Sequence, residues 1–219
     1  MRKSPELVSR PVLTRERIVH AAVELIERKG ADALSMRAVA SELGVAVMSL
    51  YNHVPNKAAL MEGVAEYVIA GVELVPAGSG DWRQEARELV RAFRDAAQQH
   101  PHAMRIVLTH SMDTTAASRL AERALALAGA AGFRGVTAVR ILHALMAYAA
   151  GSHLQEHLLG QLVHRAPAFG DADPTRFPHL VAAAPALLAQ DPDADFEFGL
   201  DLLITGIAAL TPEARKPTG

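Results

Sequence analysis

The chain has 219 residues, half of them hydrophobic, enough for a small domain beside a larger one, each with its own core. It has no cysteine, which excludes disulfides, thiolate metal sites and thiol redox sensing. The net charge of −2 hides an asymmetry: residues 1–57 carry nine Lys and Arg against six Asp and Glu, and the remainder thirteen against eighteen, so the basic excess sits at the N-terminal end.

The first thirteen residues contain basic side chains but no apolar h-region, so no secretory signal is expected. Thr14 to Gly30 then reads as a helix. Thr14 is its cap, Glu16 lies in the first turn, Arg28 and Lys29 in the last, and Gly30 ends it; the charges oppose the helix dipole in the favourable sense. Ile18, Ala22, Leu25 and Ile26 form its inner side. Next comes LSMRAVASELGVAVMSLYNHVPNK, residues 34–57. Ser35 is placed to cap a short helix, and Leu34 and Val39 to staple it. Gly44 turns the chain, a second short helix spans roughly Val47 to His53, and Pro55 stops it before Asn56 caps another helix. This is the pattern of a helix-turn-helix, which lays its second helix in the major groove of DNA. From spacing alone, a plain helix-loop-helix corner of an all-helical protein is the other reading.

Farther along, residues 76–80 read as a linker, and Asp81 with Gln84 as a capping box for the helix that follows. Pro101 interrupts the next turn before the short helix HAMRIVLTH. Ala116 to Ala131 is a helix ended by Gly132, and Val136 to Leu162 a long one with a bend near Gly151. Val163 to Pro178 reads as a loop, Leu180 to Leu188 as a short helix, and the last helix starts near Asp193 to Asp195 and runs to Leu210. No stretch alternates as a strand does, so the fold class is all-α. No apolar run reaches the roughly 18 residues needed to cross a bilayer. The longest, Ile141 to Leu154, is broken by His143, Tyr148 and His153, so a cytoplasmic protein without membrane contact is expected.

The ordered combination of a first helix ending in Lys29-Gly30, then Arg37, Leu43-Gly44-Val45, Leu50-Tyr51, His53 and Asn56-Lys57 resembles the DNA-binding domain of the tetracycline-repressor (TetR) family, over residues 14 to about 70. More weakly, Gly132-Phe133, Ala147 to His157 and Phe196 to Gly206 resemble the ligand-binding domain of the tetracycline repressor's own subclass. The resemblance implies an N-terminal arm and DNA-binding head at 1–56, a connecting helix at 57–72, and a helical effector-binding and dimerisation body over 57–219. The implied activity is transcriptional regulation, as a repressor that leaves its operator when a small hydrophobic ligand binds. The partners would be a palindromic double-stranded operator, an unidentified effector and a second copy of the chain, with no cofactor and no metal.

The expected DNA-contacting residues are Ser35, Arg37, Val47, Met48, Ser49, Tyr51, Asn52, His53 and Lys57. By resemblance Arg37 reaches a base edge or phosphate, and Lys57 and His53 reach the backbone. Ser49 and Tyr51 bring hydroxyls, although Tyr51 reads equally as a half-buried packing residue. Val47 and Met48 are apolar and suit thymine methyls without a hydrogen-bond code. Asn52 stands where the family often has an aromatic residue.

In the last helix Phe196, Leu200, Leu203, Ile207 and Leu210 form an apolar seam, expected at the dimer interface, while Phe198 and Leu202 form a second apolar side. A helix apolar on two sides must bury both, one in its own core and one against a second subunit, or both inside a monomer. An effector pocket is expected from Phe93, Met104, Leu108, His110, Met112, Leu142, His143 and Met146, though each reads equally as plain core. On the resemblance, Val107 and Gln155 stand where the subclass has the histidine and glutamate that help to hold magnesium-bound tetracycline, so the drug itself is not the expected ligand. His153 and His157 have the helical spacing of a metal clamp, but no third ligand is marked. A catalytic reading lacks a nucleophile elbow, a phosphate loop and a metal motif, and a purely protein-binding adaptor leaves the basic head unexplained.

Overall fold

The computed structural model describes residues 12–73, 80–109, 114–162, 172–189 and 191–210. Among these residues every regular element is helical: α1 (Arg15–Lys29), a 3-10 turn (Ala31–Ala33), α2 (Met36–Leu43), α3 (Val47–Tyr51), α4 (Lys57–Ala70), α5 (Trp82–Gln99), α6 (Pro101–Thr109), α7 (Thr115–Ala130), α8 (Gly135–Leu162), α9 (Pro178–Leu188) and α10 (Pro192–Ala209). The chain forms two compact units, Met1–Gly71 with His100–Ala117, and Val72–Gln99 with Ser118–Gly219.

The first unit is built by caps that its sequence spells out. Thr14 Oγ1 accepts from Arg17 N at 3.2 Å, Ser35 Oγ from Ala38 N at 3.1 Å, and Asn56 Oδ1 from Ala59 N at 2.8 Å, so α1, α2 and α4 each begin on a side-chain oxygen. Gly44 ends α2 in the left-handed region, with φ 64, where a side chain would be strained. The core between these helices holds Ile18, Leu25, Ile26, Leu34, Val39, Leu50 and Val54, all fully or almost fully buried.

This unit runs past the expected boundary at residue 56. α4 is more than a connector, because Leu60, Val64, Ala65, Val68 and Ile69 bury one side of it. α6 joins the same unit and packs on α1 and α4, burying Ala103, Met104, Ile106 and Val107. Two carboxylates fix helix starts here. Glu27 of α1 accepts from the backbone amides of His102 (3.2 Å) and Ala103 (2.9 Å) in the first turn of α6. Glu66 of α4 accepts from Ala116 N, at 3.1 Å to Oε1, in the first turn of α7. An anion at a helix N-terminus satisfies amides that have no partner within the helix.

The second unit centres on α5, α8 and α10. The seam expected at a dimer interface is partly turned the other way: Phe196, Leu200 and Ile207 are buried within this unit, Leu203 is half-buried, and Leu210 is exposed. The apolar side left open is the second one, with Phe198 at 68% and Leu202 at 59% exposure. The cause is the partner chemistry of α5, whose arginines draw α10 onto the chain's own core. Arg87 pairs with Asp201 at 2.8 Å and Arg91 with Glu197 at 2.6 Å. Arg94 pairs with Asp193 at 2.7 Å and with Glu156 of α8 at 2.9 Å, and it lies over the Phe196 ring. Tyr148 of α8 stacks on Phe196 and donates its hydroxyl to the Phe196 carbonyl at 2.6 Å. Gly199 leaves room for that ring, since a Cβ there would lie 2.5 Å from Tyr148 Oη.

Several boundaries differ from expectation. Asp81 does cap α5, accepting from Arg83 N at 2.9 Å, but Gln84 turns forward to Glu88 (3.0 Å) instead of closing a capping box. Pro101 opens α6, where its missing amide hydrogen costs nothing. α8 is one unbroken helix across Gly151. Of the expected loop at 163–178, residues 163–171 lie outside the described residues, and Pro178 already belongs to α9.

Candidate nucleic-acid interface

α2 and α3 are held to each other by buried apolar residues, Val39 and Ala40 from one and Leu50 from the other. That leaves the opposite side of α3 to solvent. Met48, Tyr51 and Asn52 share it at helical spacing and all three are exposed. Val47 and Ser49 are half-buried, so they offer less to a partner than their positions suggest. α3 is also shorter than expected: it ends at Tyr51, and Asn52 and His53 form the turn after it, both exposed. Ser35 is exposed, but its hydroxyl oxygen already accepts from Ala38 N as the cap of α2.

Three described cations of this unit, Arg28, Lys29 and Arg105, are paired with carboxylates, whereas Arg17 donates to the Val12 carbonyl at 3.4 Å and Arg15 is exposed. Arg28 and Lys29 are engaged by Glu42, at 2.6 and 3.4 Å, and the hydrogen bond from Arg28 holds the Glu42 carboxyl below its usual value. Arg105 pairs with Asp32 at 2.9 Å. Arg37, in the first turn of α2, and Lys57, at the start of α4, are exposed on the helices before and after α3. The Glu16 carboxyl is held low by a backbone amide and by the Thr14 hydroxyl, so it stays ionised at neutral pH. The geometry is an exposed, half-apolar helix face, with one exposed guanidinium and one exposed ammonium on the helices before and after it, suited to a groove with charged walls.

Two family models match the chain. "Bacterial regulatory proteins, tetR family" matches residues 18–64, and "Tetracyclin repressor-like, C-terminal domain" matches residues 76–211. The chain belongs to the TetR family of transcription regulators. The tetracycline repressor protein class A from transposon 1721 of Escherichia coli is 31% identical over 213 residues, covering 92% of this chain and 94% of the relative. An HTH-type transcriptional repressor of Streptomyces coeruleorubidus is 29% identical over 233 residues, covering 97% and 84%. Apo ActR from Streptomyces coelicolor superposes with a TM-score of 0.81 at 30% identity, covering 92% of this chain and 98% of ActR. ActR in complex with actinorhodin superposes at 0.79 with 28% identity, covering 92% and 100%. The all-α architecture with an N-terminal helix-turn-helix is that of the TetR family.

The residues expected to line one pocket fall in both units. Met104 and Leu108 belong to the first unit, where Met104 is fully buried and Leu108 is 39% exposed. Phe93, Leu142, His143 and Met146 belong to the second; Phe93 is buried and His143 is exposed. His110 and Met112 lie outside the described residues. Leu142 lines a small apolar cavity of about 20 Å3, shared with Trp82, Leu89, Leu127, Phe133 and Ile207. A groove of about 370 Å3 lies instead between α8 and α10, walled by Ala147, Tyr148, Gly151 and Gln155 on one side and by Asp195 and Gly199 on the other. Its lining mixes small residues with Tyr148, Phe196 and the polar Gln155 and Glu156. His153 is buried on α8, and the His157 side chain lies outside the described residues. No helix among the described residues is long and apolar enough to cross a membrane.

Proposed function

We propose that this TetR-family chain is a repressor that grips a palindromic operator as a twofold homodimer and releases it when a small hydrophobic ligand binds the body. The observation that carries the reading is the exposed face of α3, with Arg37 and Lys57 exposed on the helices before and after it, while Arg28, Lys29 and Arg105 of the same unit are paired with carboxylates. Arg37 supplies a base edge or phosphate contact, Lys57 and His53 contact the backbone, Tyr51, Ser49 and Ser35 offer hydroxyls to phosphate, and Met48, Val47 and Asn52 face bases. The DNA-reading segment then lies at residues 1–56 with Lys57 beside it, in a compact unit that also takes in α4 and α6, and the effector and dimer functions lie in the remainder of 57–219.

A twofold pair of heads reads half-sites one helical turn apart, which asks for a second copy of the body. Phe198 and Leu202 form the exposed apolar side of α10, and this side replaces the buried Phe196 seam as the proposed dimer surface; Val136, Val139 and Leu154 of α8 are further exposed apolar side chains of the same unit. For the effector, ActR has been solved with actinorhodin and a TetR variant of Acinetobacter baumannii AYE with minocycline. A hydrophobic ligand of that size needs roughly 300 Å3 or more. The apolar cavity beside Leu142, at about 20 Å3, is too small for one as it stands, whereas the groove between α8 and α10, at about 370 Å3, has the volume. A ligand that favours the conformation of the body released from DNA lowers operator affinity. Val107 and Gln155 carry no charge for a magnesium-bound drug. The protein acts in the cytoplasm and carries out no chemistry.

DNase footprinting upstream of the chain's own gene tests the reading. A protected palindrome is the expected result. Arg37→Ala should weaken binding roughly tenfold, corresponding to about 1–3 kcal/mol for a base contact, and Lys57→Ala should lower the salt slope by about one unit. Unchanged affinity for both variants would refute the placement of the interface.

A further inference from the structure

The exposed face of α3 is distinctive for what it lacks. Met48, its second residue, is 72% exposed, and the neighbouring Ala46 is exposed as well. Hydrogen-bonding side chains on this face begin only one turn later, at Tyr51 and Asn52. An exposed methionine adds nothing to the head's own core, which Leu50 and Val54 fill from the same segment. Its thioether is flexible and polarisable, and is at best a weak acceptor.

What such a side chain can distinguish in a major groove follows from the base edges. Guanine, adenine and cytosine present acceptors or amino donors, and only thymine adds an apolar group, the methyl on C5. A donor or acceptor covered by Met48 would lose its water without a replacement partner, whereas a methyl would lose only unfavourable exposure. We propose, resting on the DNA-binding reading above, that Met48 selects the operator through the C5-methyl of a pyrimidine, so that affinity follows the methyl and not the hydrogen-bonding pattern of the base that bears it. The corollary is sensitivity to cytosine methylation. 5-Methylcytosine carries the same methyl on the same groove wall and substitutes for thymine opposite Met48.

The test begins with selection of duplexes from a random pool by the full-length chain, followed by replacement of each thymine in the selected half-site by deoxyuridine. One position per half-site should lose about fourfold in affinity, the worth of one buried methyl. At that position a cytosine–guanine pair should bind weakly, and 5-methylcytosine–guanine should regain most of what cytosine lost. Met48→Ala should unfold at the wild-type temperature, since the side chain is exposed, and should lose the dependence on the methyl at that position. Selective binding in which no thymine methyl matters, or methyl dependence that survives Met48→Ala unchanged, overturns the proposal while leaving the DNA-binding reading intact. Failure to select any duplex overturns both.

Discussion

The cations beside α3 in the first unit and the arginines on and beside α5 in the second are used in opposite ways. In the first, Arg37 and Lys57 stand exposed on either side of α3 in the sequence, ready for an external anion. In the second, Arg87, Arg91, Arg94 and Arg123 are all consumed by carboxylates of their own unit. Charge count predicts little until one knows which cations are already paired, and position in the fold decides that.

The comparison breaks most readily at Arg94. Its side chain is 10% exposed, satisfied by Glu156 and Asp193 and laid over Phe196. Burial alone would favour neutrality, but the hydrogen bonds from Arg94 to Asp193 and Glu156 keep it firmly charged. Arg94→Met leaves Glu156 part-buried without its cation. It should cost about 3 kcal/mol, at the low end for a buried pair because Asp193 is mostly in solvent, and lower the melting temperature by roughly 6–12 °C. A melting curve unchanged by Arg94→Met would show that the pairs do not organise the second unit.

Caps organise the first unit, and Ser35→Ala tests that. Removing the oxygen that receives Ala38 N should destabilise the head by about 1 kcal/mol, measured by denaturant unfolding. The operator affinity of the folded variant should fall much less than for Arg37→Ala. Equal losses would mean that Ser35 acts mainly at the DNA.

The smallest effect is expected in acid. The hydrogen bond from Arg91 holds the Glu197 carboxyl below its usual value, against a smaller upward push from burial. A carboxyl lowered on folding stabilises the protein above its unfolded value and loses that contribution as pH falls through the folded value. The stability gap between wild type and Arg91→Gln should therefore be present at neutral pH and narrow below pH about 4.5, modestly, because both side chains are partly solvated. A gap that stays constant across that range contradicts the pairing.

How much of this was legible in the sequence varies between the same two regions. The head could be read almost residue by residue, because Thr14, Ser35, Gly44, Pro55 and Asn56 act on the backbone next to them and local chemistry determines the outcome. The helices of the body could be read for the same reason. Which side of α10 faces inward could not, since Phe196 and Phe198 are equally apolar and the choice is made by Arg91 and Arg94, a hundred residues away in the chain. The pocket candidates fall across both units for a similar reason. Met104 and Leu142 look alike as apolar helix residues, yet they belong to different units. The spacing of the arginines at 87, 91 and 94 and of the acids at 193, 197 and 201 was the available signal, one helical stripe of each sign.

The central claim, that the open side of α3 enters the major groove, has a direct test because the chain has no cysteine. Asn52→Cys places a single thiol on that side, where a tethered iron chelate cuts DNA within its reach. The account predicts cleavage inside each half-site of a bound operator from the Asn52→Cys conjugate and none from a Phe198→Cys conjugate. An Asn52→Cys conjugate that binds the operator without cutting it would contradict the account.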